Sequence, residues 1–137
     1  MAKTISYLTF SGNANEAIDF YQAAFDVEVT MRNLYKMLPN FSGDEAHGEL
    51  VAHARLAKDS VELFYVSDAP NGEVVIGDQV SVTYFVDSKE ALEKTFTSLS
   101  KNGVVKMEIQ ETGWGVSYAE VTDQFGVNWK LNFQKDA

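Results

Sequence analysis

"NANEAIDFYQAAF" (13–25) and "DSKEALEKTFTSLSKNG" (87–103) decide the fold, because they read as one element written twice. "NEAI" at 15–18 aligns with "KEAL" at 89–92, and Asn13 with Asp87, at an offset of 74 residues. In the first copy Ala14, Ala17, Ile18, Tyr21, Ala24 and Phe25 recur at helical spacing and make one apolar stripe. Asn13 is its predicted N-cap, with Glu16 three residues on in a capping-box arrangement. In the second copy Asp87 is the predicted N-cap, Glu90 stands three residues later, and Gly103 is a fitting stop. Ala91, Leu92, Thr95, Phe96 and Leu99 form its inner stripe.

Working outward, each helix sits in the same strand context. "ISYLTF" precedes the first, and "VEVTMRNLYKM", "ELVAHARLA" and "VELFYVS" follow it; the last two form a hairpin joined at 58–60. "VSVTYFV" precedes the second, and "VVKMEIQ", "VSYAEVT" and "VNWKLNF" follow. Pro39–Asp44 is a loop. "DAPNGEVVIGD" (68–78), with Pro, two Gly and an Asn-Gly pair, is the predicted linker. The expected fold is α+β: one domain of two β-α-β-β-β modules, about 4–67 and 79–134. A helix covers only one face of a four-stranded sheet. Two curved mixed sheets brought together are therefore expected to leave a cleft between them.

The totals narrow the function. The 137 residues suit one domain, and 45% hydrophobic with 23% charged residues is ordinary globular composition. With no cysteine there is no disulfide, thiolate metal site or Cys nucleophile, which fits a reducing cytoplasm. No run approaches the length of a membrane span, and the N-terminus does not read as a signal peptide. A net charge of −9 repels nucleic-acid backbones and anionic lipid, so neither nucleic acid nor membrane is the expected partner. A local positive pocket for a small anion remains compatible with that charge.

"VTDQFGVNWKLNF" (121–133) holds the most informative polar face. Asn128, Lys130 and Asn132 alternate with Trp129, Leu131 and Phe133, so Lys130 is central on a polar strand face. His53 and Arg55 share a strand face in "VAHARL", and Glu62 lies on the next strand of that hairpin. A His beside a carboxylate suits acid–base work, so His53 and Glu62 are the candidate catalytic residues. Phe10, Phe64 and Phe85, with Leu8, are expected on the cleft side as ligand contacts. Trp114 between Gly113 and Gly115 is read as an aromatic lid at a hairpin tip.

The doubled pattern, "YLTFSGNANEAIDFYQAAF" and "DQFGVNWKL" resemble the vicinal oxygen chelate superfamily of glyoxalases, bleomycin-resistance proteins and dioxygenases, most closely its PhnB-like branch. The resemblance covers about residues 4–134. It implies ligands for one divalent ion from the first and last strand of each half. Those positions fall here at about Ser6, at Val80 or Ser81, at Glu62 and at Lys130. Only Glu62 is a plausible ligand, and an ammonium has no lone pair to give a metal. No cofactor is therefore expected. The resemblance also implies a His near His53 and a homodimer.

The sequence thus predicts a cytoplasmic small-molecule-binding protein. Its ligand is small and anionic, with Lys130 and Arg55 as counter-charges and Ser6, Ser81 and the aromatic residues as contacts. The competing readings are a metal-dependent lyase, dioxygenase or transferase using Glu62 and His53, and a non-catalytic structural or interaction dimer.

Overall fold

A computed structural model describes residues 2–112 and 115–135. The chain forms two compact units, Met1–Val75 and Ile76–Ala137. The first contains β1 (Ser6–Phe10), α1 (Ala14–Phe25), β2 (Glu28–Leu34), a 3-10 turn (Tyr35–Met37), α2 (Glu45–Gly48), β3 (Val51–Lys58) and β4 (Val61–Asp68). The second contains β5 (Val82–Val86), α3 (Lys89–Ser100), β6 (Val104–Glu111), β7 (Val116–Thr122) and β8 (Asn128–Gln134). Each unit has one four-stranded mixed sheet, ordered β1-β4-β3-β2 and β5-β8-β7-β6. In each, the outer first strand runs parallel to the last and the remaining pairs are antiparallel. The fold is α+β, as the doubled pattern predicts. No helix among the described residues is long and apolar enough to cross a membrane.

The helix stripes form the cores. The buried residues of α1 are the six of its predicted stripe. Tyr21 and Phe25 meet Phe64 edge-on at 5.6 and 6.0 Å between ring centroids, and Phe10 lies 6.3 Å from Tyr21. Leu92, Thr95 and Leu99 are buried on α3, and Trp129 and Leu131 are buried on β8. The hairpin turn between β3 and β4 places Asp59 and Ser60 both at positive φ, the twist-matched geometry of a tight two-residue loop.

Asn13 is the N-cap of α1, as predicted, but the cap of α3 is corrected. The Asn13 side chain makes no capping hydrogen bond, and its Oδ1 is buried without a partner among the described residues. The Asp68 carboxylate reaches over from the end of β4 instead, with Oδ1 accepting from the amides of Gly12 (2.9 Å) and Ala14 (3.0 Å). Its Oδ2 accepts from the Val51 amide at 3.0 Å. Asp68, read in the sequence as the first linker residue, is thus the fully buried last residue of β4. For α3 the cap is Ser88, one residue after Asp87. Ser88 is extended, and its hydroxyl accepts from the Ala91 amide at 3.0 Å.

A second correction concerns faces. Leu56 pairs with Phe64, but Ala57 pairs with Glu62, so Leu63 is an extra residue in β4. A bulge of this kind brings the residues beside it toward one side of the strand and breaks the two-residue alternation. Phe64 therefore faces α1, while Glu62 turns to the opposite face with Arg55 and Tyr65. Phe10 also faces α1, and alternation places Ser6 and Leu8 on that same side. The expectation that Phe10 and Phe64 line an open face is thus overturned: they are 3% and 1% exposed and belong to the core.

Candidate functional site

The face of the first sheet that α1 leaves uncovered carries a continuous polar cluster. Tyr7, Tyr65, Arg55 and Met31 form one row across all four strands. His53 lies in a neighbouring row, opposite Asn33. The Arg55 guanidinium is the hub. Its Nε–H donates to His53 Nε2 at 3.1 Å, and Nη1 reaches Glu62 Oε2 at 3.5 Å. Its Cζ also lies 5.0 Å from the Tyr65 ring centroid, a cation–π contact. The Tyr65 hydroxyl donates to Glu62 Oε1 at 3.0 Å, and Lys3 Nζ is 3.7 Å from that same oxygen. The Tyr7 hydroxyl lies 2.9 Å from His53 Nδ1.

The electrostatics follow from this wiring. Desolvation, then the adjacent Arg55 guanidinium, hold His53 below the ordinary imidazole value, while the Glu62 carboxylate pulls the other way. The net effect favours neutral imidazole. At the far end of the face, Tyr35 donates to the Asp68 carbonyl at 2.8 Å. Burial, the Asp68 carboxylate and Tyr7 raise the Tyr35 hydroxyl above its usual range.

The second sheet has its own polar face, opposite α3. One row is Thr83, Lys130, Glu120 and Met107; another is Phe85, Asn132, Tyr118 and Gln110. The Tyr118 hydroxyl donates to Glu120 Oε2 at 3.0 Å. Burial and that carboxylate push Tyr118 up to about 12. Asn128 is structural: its Nδ2 donates to the Gly77 carbonyl at 2.8 Å, and its Oδ1 accepts from Thr122 at 2.8 Å. Lys130 is half-buried, yet among the described residues no carboxylate lies within ion-pair distance of its ammonium. Asn132 Oδ1 is likewise buried and unpartnered among them.

Residues 4–131 match the Glyoxalase/Bleomycin resistance protein/Dioxygenase superfamily. The chain belongs to that superfamily. Protein YjdN of Escherichia coli (strain K12) is 29% identical over 94% of this chain and 93% of its own. Protein PA1353 from Pseudomonas aeruginosa superposes with a TM-score of 0.84 at 29% identity, over 99% of this chain and all of that one. The PhnB protein from Bacillus cereus superposes with a TM-score of 0.77 at 25% identity, over 96% and 99%. This superfamily member is therefore PhnB-like in sequence and fold.

Of the positions where the superfamily resemblance implies metal ligands, Ser6, Val80 or Ser81, Glu62 and Lys130, only Glu62 carries a carboxylate or imidazole. His53 and Glu62 share a face, but the Arg55 guanidinium contacts both of them. A divalent ion set there would meet a fixed positive charge and a ring nitrogen already hydrogen-bonded. No grouping of three His, Asp or Glu side chains suited to a metal exists among the described residues. The sequence also equated Glu62 with Lys130 as matching last-strand positions. In the ladders Lys130 matches Tyr65: these are the second residues of the two parallel pairings, Tyr7 with Tyr65 and Thr83 with Lys130. The Leu63 bulge shifts the count along β4 by one residue.

The structure brings together His53, Arg55 and Glu62 on one sheet face, and Lys130 with Phe85 on the other. Phe85 is 63% exposed there. Ser6 is on the α1 side, and Ser81 is half-buried just ahead of β5. Trp114 lies outside the described residues. Sequence reasoning missed Tyr7, Tyr65, Tyr118 and Glu120. The signal for Tyr7 was present: in "SYLTF" the apolar Leu8 and Phe10 alternate with Tyr7 and Thr9, which fixes Tyr7 on the outer face.

Proposed function

We propose that this PhnB-like protein binds a small anionic molecule, with Lys130 on the polar face of the second sheet as a counter-charge, and does so without the superfamily's divalent ion at its usual positions. The observation that carries the reading is Lys130, half-buried on a polar sheet face, whose ammonium has no ion-pair partner among the described residues. An ammonium with no protein carboxylate beside it can meet a ligand carboxylate or phosphonate through charge-assisted hydrogen bonds. Arg55 supports the same class. Its Nε and Nη1 have partners, and its Nη2 is left to donate. In this reading His53 and Glu62 hold Arg55 in place, because both ring nitrogens and both carboxylate oxygens already have partners. The lack of cysteine supports a cytoplasmic setting, and the exposed Val104, Val105 and Met107 on the edge strand β6 support a homodimer.

The test is thermal shift and calorimetry with acetate, malonate and methylphosphonate on wild type, Lys130→Ala and Arg55→Gln. Wild type is expected to be stabilised by at least one anion, and Lys130→Ala to lose most of the response at the second sheet, with Arg55→Gln reporting separately on the first. Equal responses from wild type and Lys130→Ala would remove the counter-charge role.

A further inference from the structure

The hydrogen bonds through His53 have a fixed direction, and that direction determines what Tyr7 can do. A guanidinium N–H only donates, so His53 Nε2, 3.1 Å from Arg55 Nε, is an acceptor and carries no proton. The proton of neutral His53 therefore sits on Nδ1. That Nδ1–H points at the Tyr7 hydroxyl oxygen, 2.9 Å away, so Tyr7 is the acceptor in this contact. The Tyr7 O–H is then turned away from the ring. Beside its electrostatic coupling to the Tyr35 hydroxyl, the other interactions of Tyr7 with described residues are ring contacts, with His53 at 5.6 Å and edge-on with Tyr65 at 5.9 Å. Tyr7 is 47% exposed on the face that α1 leaves uncovered.

We infer that Tyr7 is a ligand-binding residue, its hydroxyl donating to a carboxylate, phosphonate or carbonyl oxygen, and that Arg55 and His53 are the positioning residues that aim it. The inference rests on the anionic-ligand reading for its ligand class, but the aiming stands on the geometry of the first unit alone. Each link depends on the one before it. The Arg55 Nε–H selects the His53 tautomer, the tautomer makes Tyr7 an acceptor, and the Tyr7 proton is left for an oxygen outside the protein. Polarising one hydrogen bond by the next in this way strengthens the terminal donor. Lysine at position 55 would keep the charge but place no planar N–H beside Nε2.

Two measurements test this separately. Long-range proton–nitrogen NMR on the wild-type protein reports the His53 tautomer. The Nδ1–H form is expected, with Arg55→Lys returning the ring to the Nε2–H form that a free neutral histidine side chain prefers. An Nε2–H ring in wild type, or an unchanged ring in Arg55→Lys, would overturn the aiming. Calorimetry with malonate and methylphosphonate then compares wild type with Tyr7→Phe, which keeps the ring and loses the hydroxyl. Loss of a hydrogen bond to a charged oxygen is expected to weaken binding by about tenfold to a hundredfold. Equal affinity would overturn the ligand role of Tyr7. A wild type that binds neither anion refutes the anionic ligand class and with it this role for Tyr7, while the tautomer measurement still decides whether Arg55 aims His53. Circular dichroism on each variant confirms that the fold is intact.

Discussion

Replacing Asp68 tests the central structural claim, that one buried carboxylate ties the end of β4 to the start of α1 and to β3. Its two oxygens accept three backbone N–H groups: Gly12 and Ala14 on Oδ1, and Val51 on Oδ2. The Ala14 and Val51 contacts are buried and the Gly12 contact partly so. Asp68→Ala leaves these donors without a partner and opens a small void. A buried donor left unsatisfied costs about 1–3 kcal/mol. Two such donors plus a partial third come to roughly 3–5 kcal/mol, which is well above the ~1 kcal/mol of a typical substitution. Asp68→Asn separates the contributions. Its amide oxygen still serves Gly12 and Ala14, but its NH₂ meets the Val51 N–H donor to donor, for a loss of roughly 1–3 kcal/mol. Urea denaturation with linear extrapolation measures both, and the expected order is wild type, Asn, then Ala. The melting temperature of the Ala variant should fall by roughly 10–20 °C. An alanine variant within about 1 kcal/mol of wild type, at unchanged m-value, would show that these amides find other partners and that the clamp reasoning is wrong.

Three further outcomes follow from the same structure. Because Arg55 lowers the His53 pKa and Glu62 raises it, Arg55→Gln should move the His53 NMR titration upward and Glu62→Gln should move it further down. A depressed imidazole binds fewer protons in the folded state, so its contribution to stability is complete above the unfolded value of about 6.5 and declines as pH falls below it. Stability that instead rose on acidification through that window, in wild type relative to His53→Gln, would contradict the direction of the shift. Gly103→Ala should destabilise by about 1–3 kcal/mol, read by urea denaturation, because the added Cβ would lie 2.5 Å from the Thr122 carbonyl oxygen, a backbone atom with little room to retreat. A neutral Gly103→Ala would mean that the turn after α3 can move as a unit.

Much of the architecture was legible because it depends on local periodicity. The α1 stripe is buried as its spacing demands, and Trp129 and Leu131 are buried while Lys130 keeps to the polar face, since helices and unbroken strands have fixed periods. The repeat at 15–18 and 89–92 carried the doubled topology for the same reason. Tertiary structure alone decided three things. The extra residue at Leu63 put Glu62 and Phe64 on opposite faces, because a bulge depends on cross-strand pairing that no single strand encodes. Asp68 displaced Asn13 as the partner of the α1 N-terminus, because an N–H group takes whichever acceptor the fold delivers, even one more than fifty residues away. The direction of the hydrogen bonds from Arg55 through His53 to Tyr7 arose only when β1 and β3 were brought to opposite sides of β4. Residue types state which groups can donate or accept; the spatial arrangement of the strands determines which of them meet.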